Sequence, residues 1–134
     1  MSPDDSIKLI QAVYEAFGRG DVEFILDSVT DDVDWATDTA STAAPWYGPH
    51  HGRAGVADFF QAFGATITVQ RFDPGSFASN GTDVHAVVKL ASTRIATGRT
   101  VEMNLHHWFQ VRDGKIAYYR GTEDTALTEP LFRD

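Results

Sequence analysis

The sequence predicts an α+β domain in which N-terminal helices pack against a sheet built by the second half of the chain. Apolar residues recur at helical spacing before residue 65, whereas alternating apolar and polar residues dominate from residue 66 onward. Gly-containing turns divide this second half into strands. At 134 residues and 43% hydrophobic content, the chain falls within the range of one domain, residues 1–134, with one core.

Charge and composition argue against several classes of function. The chain carries 11 Lys and Arg against 19 Asp and Glu, a net charge of −8, which repels phosphate backbones and anionic lipid heads. Nucleic acid and membranes are therefore not expected partners. The absence of cysteine removes disulfides, thiolate catalysis and thiolate metal sites. An acidic start and the lack of an apolar run of roughly 18 residues predict a cytoplasmic protein.

The first helix is predicted from its capping residues and its apolar spacing. Ser2 can act as the N-cap and Pro3 as the first helical residue, and two acidic residues follow in the first turn, where they favour the helix dipole. Gly18 or Gly20 can end the helix. Its apolar face is Ile10, Val13, Tyr14 and Phe17.

Two further helices and a short strand follow. Asp21 can cap a short helix that carries Phe24, Ile25 and Val29, residues 33–37 resemble a strand, and residues 39–51 resemble a loop. The clearest helix runs over residues 52–64, with an apolar stripe of Val56, Phe59, Phe60 and Phe63. Burying such side chains stabilises by about 1.5 to 3 kcal/mol each, so this helix must lie on an apolar surface.

Turn residues predict four strands in the second half, at residues 66–78, 82–96, 99–112 and 115–123. A two-residue turn at Asp113-Gly114 places His107 opposite Arg120, on one face of the sheet. A two-residue turn at Gly98-Arg99 places Leu90 opposite His107 as well.

Both pairings give the same apolar face, which should pack under the helices: Val84, Ala86, Val88, Leu90, Met103, Leu105, Phe109, Val111 and Ile116. His107, Arg120 and Asp124 are polar exceptions in that face. A buried polar group without a partner costs about 2 to 7 kcal/mol, so these groups predict a pocket; the alternative is a structural network without a ligand. A β-bulge in either strand would turn Glu123 inward in place of Asp124.

Several motifs stand in a recognisable order along nearly the whole chain: Gly20-Asp21, Asp31-Asp32 before Trp35, Tyr47-Gly48 with His51-Gly52-Arg53, and Arg112-Asp113-Gly114-Lys115-Ile116. In this order they resemble the nuclear transport factor 2-like superfamily, in the branch of ketosteroid isomerase and the polyketide cyclase SnoaL. The resemblance implies a cone-shaped, cystatin-like roll: a curved, mostly antiparallel sheet wrapped around about three N-terminal helices and enclosing a pocket. It also implies a homodimer through the outer sheet face, where the strand count places Trp108 and Tyr119.

The isomerase pattern assigns candidate catalytic positions residue by residue. Its oxyanion-donor aspartic acid falls at His107, and its donor tyrosine falls at Val13, with Tyr14 next to it. Its general-base aspartate falls at Thr37, with Asp38 next to it. Proton abstraction beside a carbonyl needs both a base and a donor, so the pattern depends on whether these neighbours face the pocket.

Cyclase-like relatives imply a carboxylate on the last strand with a histidine nearby. Glu123 or Asp124 could supply it, whereas a match at Gly121 would remove it. A set similar to that of epoxide-hydrolase relatives would use Arg120, Asp124 and Asp38.

Aromatic side chains are the expected walls of the pocket, although ordinary core packing is the alternative. The candidate substrate-binding residues are Tyr14, Trp35, Trp46, Phe59, Phe63, Leu90, Phe109, Tyr118 and Glu123. Metal ligands on one strand need a spacing of two residues, whereas His50-His51 and His106-His107 are adjacent. No metal and no cofactor are expected.

Three functions remain open from the sequence. The first is acid/base chemistry of isomerase, cyclase or hydrolase type on a mostly apolar substrate. His107 would then be the donor or general acid, Asp38 or a last-strand carboxylate the base, and Arg120 the orienting charge. Burial and a neighbouring guanidinium should lower the pKa of His107 and keep its ring neutral. The second function is a non-catalytic ligand-binding or dimerising module, and the third is a protein-interaction adaptor.

Overall fold

The computed structural model describes residues 1–133, which form a mixed α+β fold as predicted. The helices are α1 (Pro3–Gly18), α2 (Val22–Asp27), α3 (Gly52–Thr66) and α4 (Thr125–Thr128), followed by a 3₁₀ turn (Glu129–Phe132). The strands are β1 (Val29–Thr37), β2 (Gly48–His51), β3 (Ile67–Ser79), β4 (Asp83–Arg94), β5 (Thr100–Arg112) and β6 (Lys115–Thr122).

The predicted caps form at the first two helices. The Ser2 side chain accepts a hydrogen bond from the Asp5 backbone N–H, with Pro3 in the first helical turn. Asp21 accepts from the Phe24 backbone N–H and so begins α2. The short helix stops at Asp27, however, so Val29 is not part of it and begins β1 instead.

One curved sheet of six strands has the order β2-β1-β6-β5-β4-β3. Only the β1–β6 pair is parallel among residues 1–133, and the other neighbours run antiparallel. Register breaks within β3, at Val69/Arg71 and Gly75/Ala78, are β-bulge positions that bend a strand and increase its twist. The bent sheet leaves one concave face, against which α1 and α3 pack.

The β4–β5 hairpin corrects one predicted pairing and confirms its face. Five residues, 95–99, connect the strands instead of two, so Leu90 lies opposite Met103 and His107 lies opposite Ala86. The prediction that Leu90 faces His107 is therefore wrong. Because the register error is an even number of residues, the same side chains still point inward, and Val84 and Leu90 are buried.

The β5–β6 hairpin contains the bulge that inverts the predicted facing of β6. Arg112 pairs with Lys115 as expected, but the register shifts between Gln110 and Val111. Beyond that point Phe109 pairs with Tyr119, His107 with Gly121 and Trp108 with Arg120. Before the shift Ile116 faces inward, and beyond it the inward residues of β6 are Tyr119 and Gly121.

Tyr119 and Arg120 exchange the faces predicted for them as a result. Tyr119 is buried in the core, so the prediction that it lies on the outer sheet face is wrong. Trp108 does lie outside, 36% exposed, with its ring stacked on His85. The homodimer through this face stays a prediction.

The core lies between α1, α3 and the concave face of the sheet, and the predicted apolar residues of β4 and β5 are part of it. None of the helices within residues 1–133 has the length and apolar character needed to cross a bilayer.

Candidate active site

An apolar cavity opens between α1, α3 and the concave face of the sheet. The empty space between its lining atoms is about 680 Å³, including its open mouth. Its walls are Val13, Tyr14, Phe17, Ile25, Trp35, Thr37, Trp46, Phe59, Phe60, Phe63, Phe72, Leu90, Leu105, His107, Phe109, Tyr119, Gly121, Thr122 and Glu123. Such a wall of aromatic rings with few polar groups is typical of small-molecule sites.

A histidine and a tyrosine form a hydrogen-bonded pair in this cavity. The Tyr14 hydroxyl, on α1, lies 2.8 Å from Nδ1 of His107, on β5. The cross-strand neighbours of His107 are Ala86 and Gly121, which are small enough to leave space around the imidazole. The predicted inward position of His107 is therefore the observed one.

The imidazole of His107 stays neutral. Burial and the neighbouring His106 lower the pKa of His107 to about 3. The predicted lowering of the pKa is present with burial as its main cause, as expected, but the second cause is His106 and not a guanidinium. Burial likewise raises the pKa of Tyr14, so its hydroxyl keeps its proton. The pair is neutral at pH 7.

The neutral pair always offers one free proton donor. If the Tyr14 hydroxyl donates to Nδ1, then Nε2 of His107 carries the N–H. In the other tautomer Nδ1–H donates to Tyr14, whose own hydroxyl proton is then free. Either arrangement can donate a hydrogen bond to a ligand oxygen.

Glu123 supplies the carboxyl group of the cavity. Its carboxylate accepts hydrogen bonds from the hydroxyl groups of Tyr47 and Thr128, the latter at 3.0 Å, and lies 3.5 Å from Nε1 of Trp46. Burial holds the pKa of Glu123 above its usual range, although its three donors act in the opposite direction. A carboxyl group with a raised pKa is the type of group that acts as an acid or base near neutral pH.

Tyr119 is a further polar side chain that lines the cavity. Its ring packs on Trp35, with centroids 4.1 Å apart, and meets His107 edge to face at 5.2 Å. A Cβ atom built on Gly121 would lie 2.1 Å from the Tyr119 hydroxyl, so only glycine leaves room for that hydroxyl. Burial and the nearby charge of Glu123 raise the pKa of Tyr119, which keeps the hydroxyl protonated.

The structure brings most of the predicted lining residues together. Those that line the cavity are Tyr14, Trp35, Trp46, Phe59, Phe63, Leu90, Phe109, His107 and Glu123. The bulge in the last hairpin turns Glu123 inward, which is the alternative that the sequence left open. Their roles as catalytic or binding residues stay predictions.

Four predicted site residues lie outside the cavity. Asp38 is exposed just after β1, and its backbone N–H donates to the Gly121 carbonyl at 2.7 Å. Asp124 is exposed at the start of α4. The bulge turns Tyr118 and Arg120 to the outer face. The predicted pocket positions of Tyr118 and Arg120 are therefore wrong, and the two positions that the sequence left open, Asp38 and Asp124, do not line the cavity.

Arg120 has its own partners on the outer face. Its guanidinium lies 2.9 Å from the Asp34 carboxylate and 4.2 Å from the centre of the Tyr118 ring. Because the pairing of β5 with β6 shifts between Gln110 and Val111, Arg120 pairs with Trp108 and does not lie beside His107 as predicted.

Sequence reasoning missed several cavity residues. The strand count without a bulge places Tyr119 on the wrong face. The bulged alternative turns both Tyr119 and Gly121, two residues further on, inward, and the glycine there leaves room for the hydroxyl. Tyr47 and Thr128 meet at Glu123 from distant parts of the chain, and no spacing rule predicts such a contact.

Metal ligands do not converge in the described part of the chain: no three His, Cys, Asp or Glu side chains of residues 1–133 are grouped to hold an ion. Glu123 and His107 are the ligand-type side chains that line the cavity, and the hydroxyl of Tyr14 already bonds Nδ1 of the imidazole.

Comparisons with known proteins agree with this fold. The family model of the SnoaL-like domain matches residues 10–119. A nuclear transport factor 2-like protein from Burkholderia xenovorans is 24% identical, with 99% of each chain covered and a TM-score of 0.88. The protein TerC, co-crystallised with polyporic acid, is 25% identical over 97% of this chain and 99% of its own, with a TM-score of 0.86.

A third similar structure is a candidate polyketide cyclase from Xanthomonas campestris, 22% identical, with 99% of this chain and 100% of its own covered and a TM-score of 0.80. No sequence among curated proteins matches the chain. The family match covers most of the residues that build α1, the sheet and the cavity. The chain belongs to the SnoaL-like domain family.

Proposed function

We propose that this protein is an acid/base enzyme of isomerase or cyclase type that moves a carbon-bound proton beside a carbonyl group of a mostly apolar substrate. One observation carries the proposal: a carboxyl group with a raised pKa, Glu123, shares an aromatic cavity with the neutral Tyr14–His107 pair. Enolisation needs a base and a donor for the developing oxyanion, and these two features supply one of each.

Each residue has a defined part in the proposed step. The Glu123 carboxylate takes the proton from the carbon next to the carbonyl, and the electron pair moves onto the carbonyl oxygen. The free donor of the Tyr14–His107 pair donates a hydrogen bond to that oxygen as its negative charge develops. Protonated Glu123 then returns the proton, to the same carbon or to another one.

The surroundings of these groups favour the same step. Aromatic walls exclude water and strengthen electrostatic interactions inside the cavity. The co-crystallisation of the similar protein TerC with polyporic acid makes that compound a suitable first ligand for binding tests.

Hydrogen–deuterium exchange tests the proposal without knowledge of the natural substrate. In D₂O, 1-tetralone should take up deuterium beside its carbonyl faster with the protein than in buffer, and the rate should saturate with ketone concentration. Mass spectrometry measures the uptake. If 1-tetralone and polyporic acid raise the melting temperature and the ketone exchanges no faster than in buffer, the protein is a ligand-binding module and the enzymatic proposal is wrong.

Replacing His107 by leucine is expected to lower the exchange rate about 10²- to 10³-fold, because this removes a donor to the oxyanion. His107→Asn is the matched comparison, since its amide can reach the position of Nδ1 and bond Tyr14 but has no group at the position of Nε2. Intermediate activity of His107→Asn is the expected result, measured in the same exchange reaction. Full activity of His107→Leu would show that His107 takes no part in the proposed step.

A further inference from the structure

We propose that the Tyr119 hydroxyl is a second ligand-binding donor of the cavity, separate from the Tyr14–His107 pair, and that it selects ligands bearing an oxygen acceptor. The inference deepens the proposed function, because it adds a specificity-determining residue to the same site. It rests on where the hydroxyl lies, on what surrounds it and on its protonation.

The position of the hydroxyl is fixed by the glycine two residues along the strand. Gly121 faces inward, since it pairs with His107 on one side and with Thr37 on the other. The Tyr119 hydroxyl lies 2.1 Å from the point where a Cβ atom of residue 121 would project into the cavity. The hydroxyl therefore occupies the inner surface of the cavity between β1 and β5.

None of the side-chain hydrogen bonds among residues 1–133 involves this hydroxyl, and it is not one of the fully enclosed atoms without a partner, so it borders the open space of the cavity. Tyr14 and Tyr47, two other tyrosines near the cavity, each bond another side chain. The surroundings of Tyr119 act on its ionisation only through burial and the charge of Glu123. A hydroxyl that borders the cavity and bonds no side chain is free to donate to an oxygen of a bound ligand.

The hydroxyl can act only as a neutral group. Its raised pKa keeps the proton in place at physiological pH, so it donates to an acceptor and does not serve as a base. Its ring is held on three sides by Trp35, His107 and Phe109, with centroid separations of 4.1, 5.2 and 5.0 Å. A donor held in this way selects for an acceptor at one position.

The test removes the hydroxyl and varies the ligand at the same time. Tyr119→Phe keeps the ring and its contacts, and Tyr118→Phe is the matched control, because the adjacent tyrosine points to the outer face. Calorimetry measures the affinities of indane, 1-indanone and 1,3-indandione, which share a skeleton and carry zero, one and two carbonyl oxygens. Working at pH 5 keeps the diketone uncharged, and circular dichroism checks that each variant is folded.

In the wild type, affinity should rise with the number of oxygens. In Tyr119→Phe, the gain in affinity that one of the two oxygens brings should be about fivefold smaller than in the wild type. The affinity of this variant for indane should stay unchanged, and Tyr118→Phe should behave as wild type. The proposal is overturned by an unchanged oxygen gain in Tyr119→Phe, by an equal loss for indane, or by no binding of any of the three ligands. Because these are affinities, they are independent of whether the protein catalyses exchange.

Discussion

Replacing Glu123 by glutamine is expected to lower the rate of ketone exchange about 10²- to 10⁴-fold, the range that general acid/base catalysis contributes. Glutamine has nearly the same shape, and its amide oxygen can still accept from Tyr47 and Thr128. The side chain can no longer take a proton, so the chemical step is lost while ligand affinity stays close to that of the wild type. Exchange rates and calorimetric affinities measured on one preparation separate these two quantities.

Asp124→Asn is the matched control for this change. Asp124 is the neighbouring carboxylate, but it is exposed at the start of α4 and does not line the cavity. It should therefore exchange ketone protons at the wild-type rate. Loss of activity in Asp124→Asn together with full activity in Glu123→Gln would show that the base has been assigned to the wrong carboxylate.

Replacing Gly121 by alanine is expected to destabilise the fold by about 1 to 3 kcal/mol, the usual cost of overpacking a core. The new methyl group would lie 2.1 Å from the Tyr119 hydroxyl and 2.8 Å from its Cζ atom, so the ring must move. The ring is packed between Trp35 and His107, which leaves it little freedom to do so. Urea unfolding followed by circular dichroism measures the free energy of unfolding.

Two further variants give this prediction its controls. Gly75→Ala adds a methyl group in another strand, β3, with no atom within 4 Å, and should change stability little. Tyr119→Phe combined with Gly121→Ala removes the closest contact, so the double variant should be less destabilised than the sum of the single variants. Equal stability of Gly121→Ala and Gly75→Ala would contradict the packing described for Tyr119.

The inward faces of β4 and β5 could be predicted because the side chains of a strand alternate with a period of two. The connection between these strands is five residues long, not two, but the resulting register error is even and leaves Val84 and Leu90 inside. His107 was placed in the cavity for the same reason. Helix α1 was equally predictable, because its cap and apolar stripe are local features.

The facing of β6 could not be predicted, because one bulge residue inverts every side chain after it. That inversion moved Arg120 out of the cavity and Tyr119 into it, and it turned Glu123 inward. Local sequence contains no signal for the extra residue of β6, Ala117, which lies opposite Gln110 and Val111. The contacts of Glu123 with Tyr47 and Thr128 were beyond prediction as well, since they join a loop and the C-terminal helix through tertiary folding alone.

The ionisation states in the cavity predict a simple dependence of activity on pH. Glu123 must be ionised to act as a base, so activity is lost as pH falls through its raised pKa. His107 has a pKa of about 3 and should contribute no step near pH 6.5, where an ordinary histidine titrates. The raised pKa values of Tyr14 and Tyr119 keep both donors protonated well into the alkaline range.

Folding stability has to be followed alongside activity, because His107 also links folding to pH. The unfolded chain binds a proton on this histidine near pH 6.5, whereas the folded chain does so only near pH 3. Stability associated with this group is therefore present above pH 6.5 and is lost as pH falls towards 3, by about 1.4 kcal/mol per pH unit at most. Activity should be compared only where unfolding curves show the protein to be folded.

The pH profile of ketone exchange, measured for the wild type and for Glu123→Gln, tests most directly whether the carboxyl group that shares the cavity with a neutral imidazole does the chemistry. The wild-type rate should rise with pH as one group ionises, at a pH above the usual pKa range of a glutamic acid, and should then stay level to at least pH 9. Glu123→Gln should show no such rise. A wild-type step near pH 6.5 that disappears in His107→Asn, or an unchanged profile in Glu123→Gln, would contradict the account.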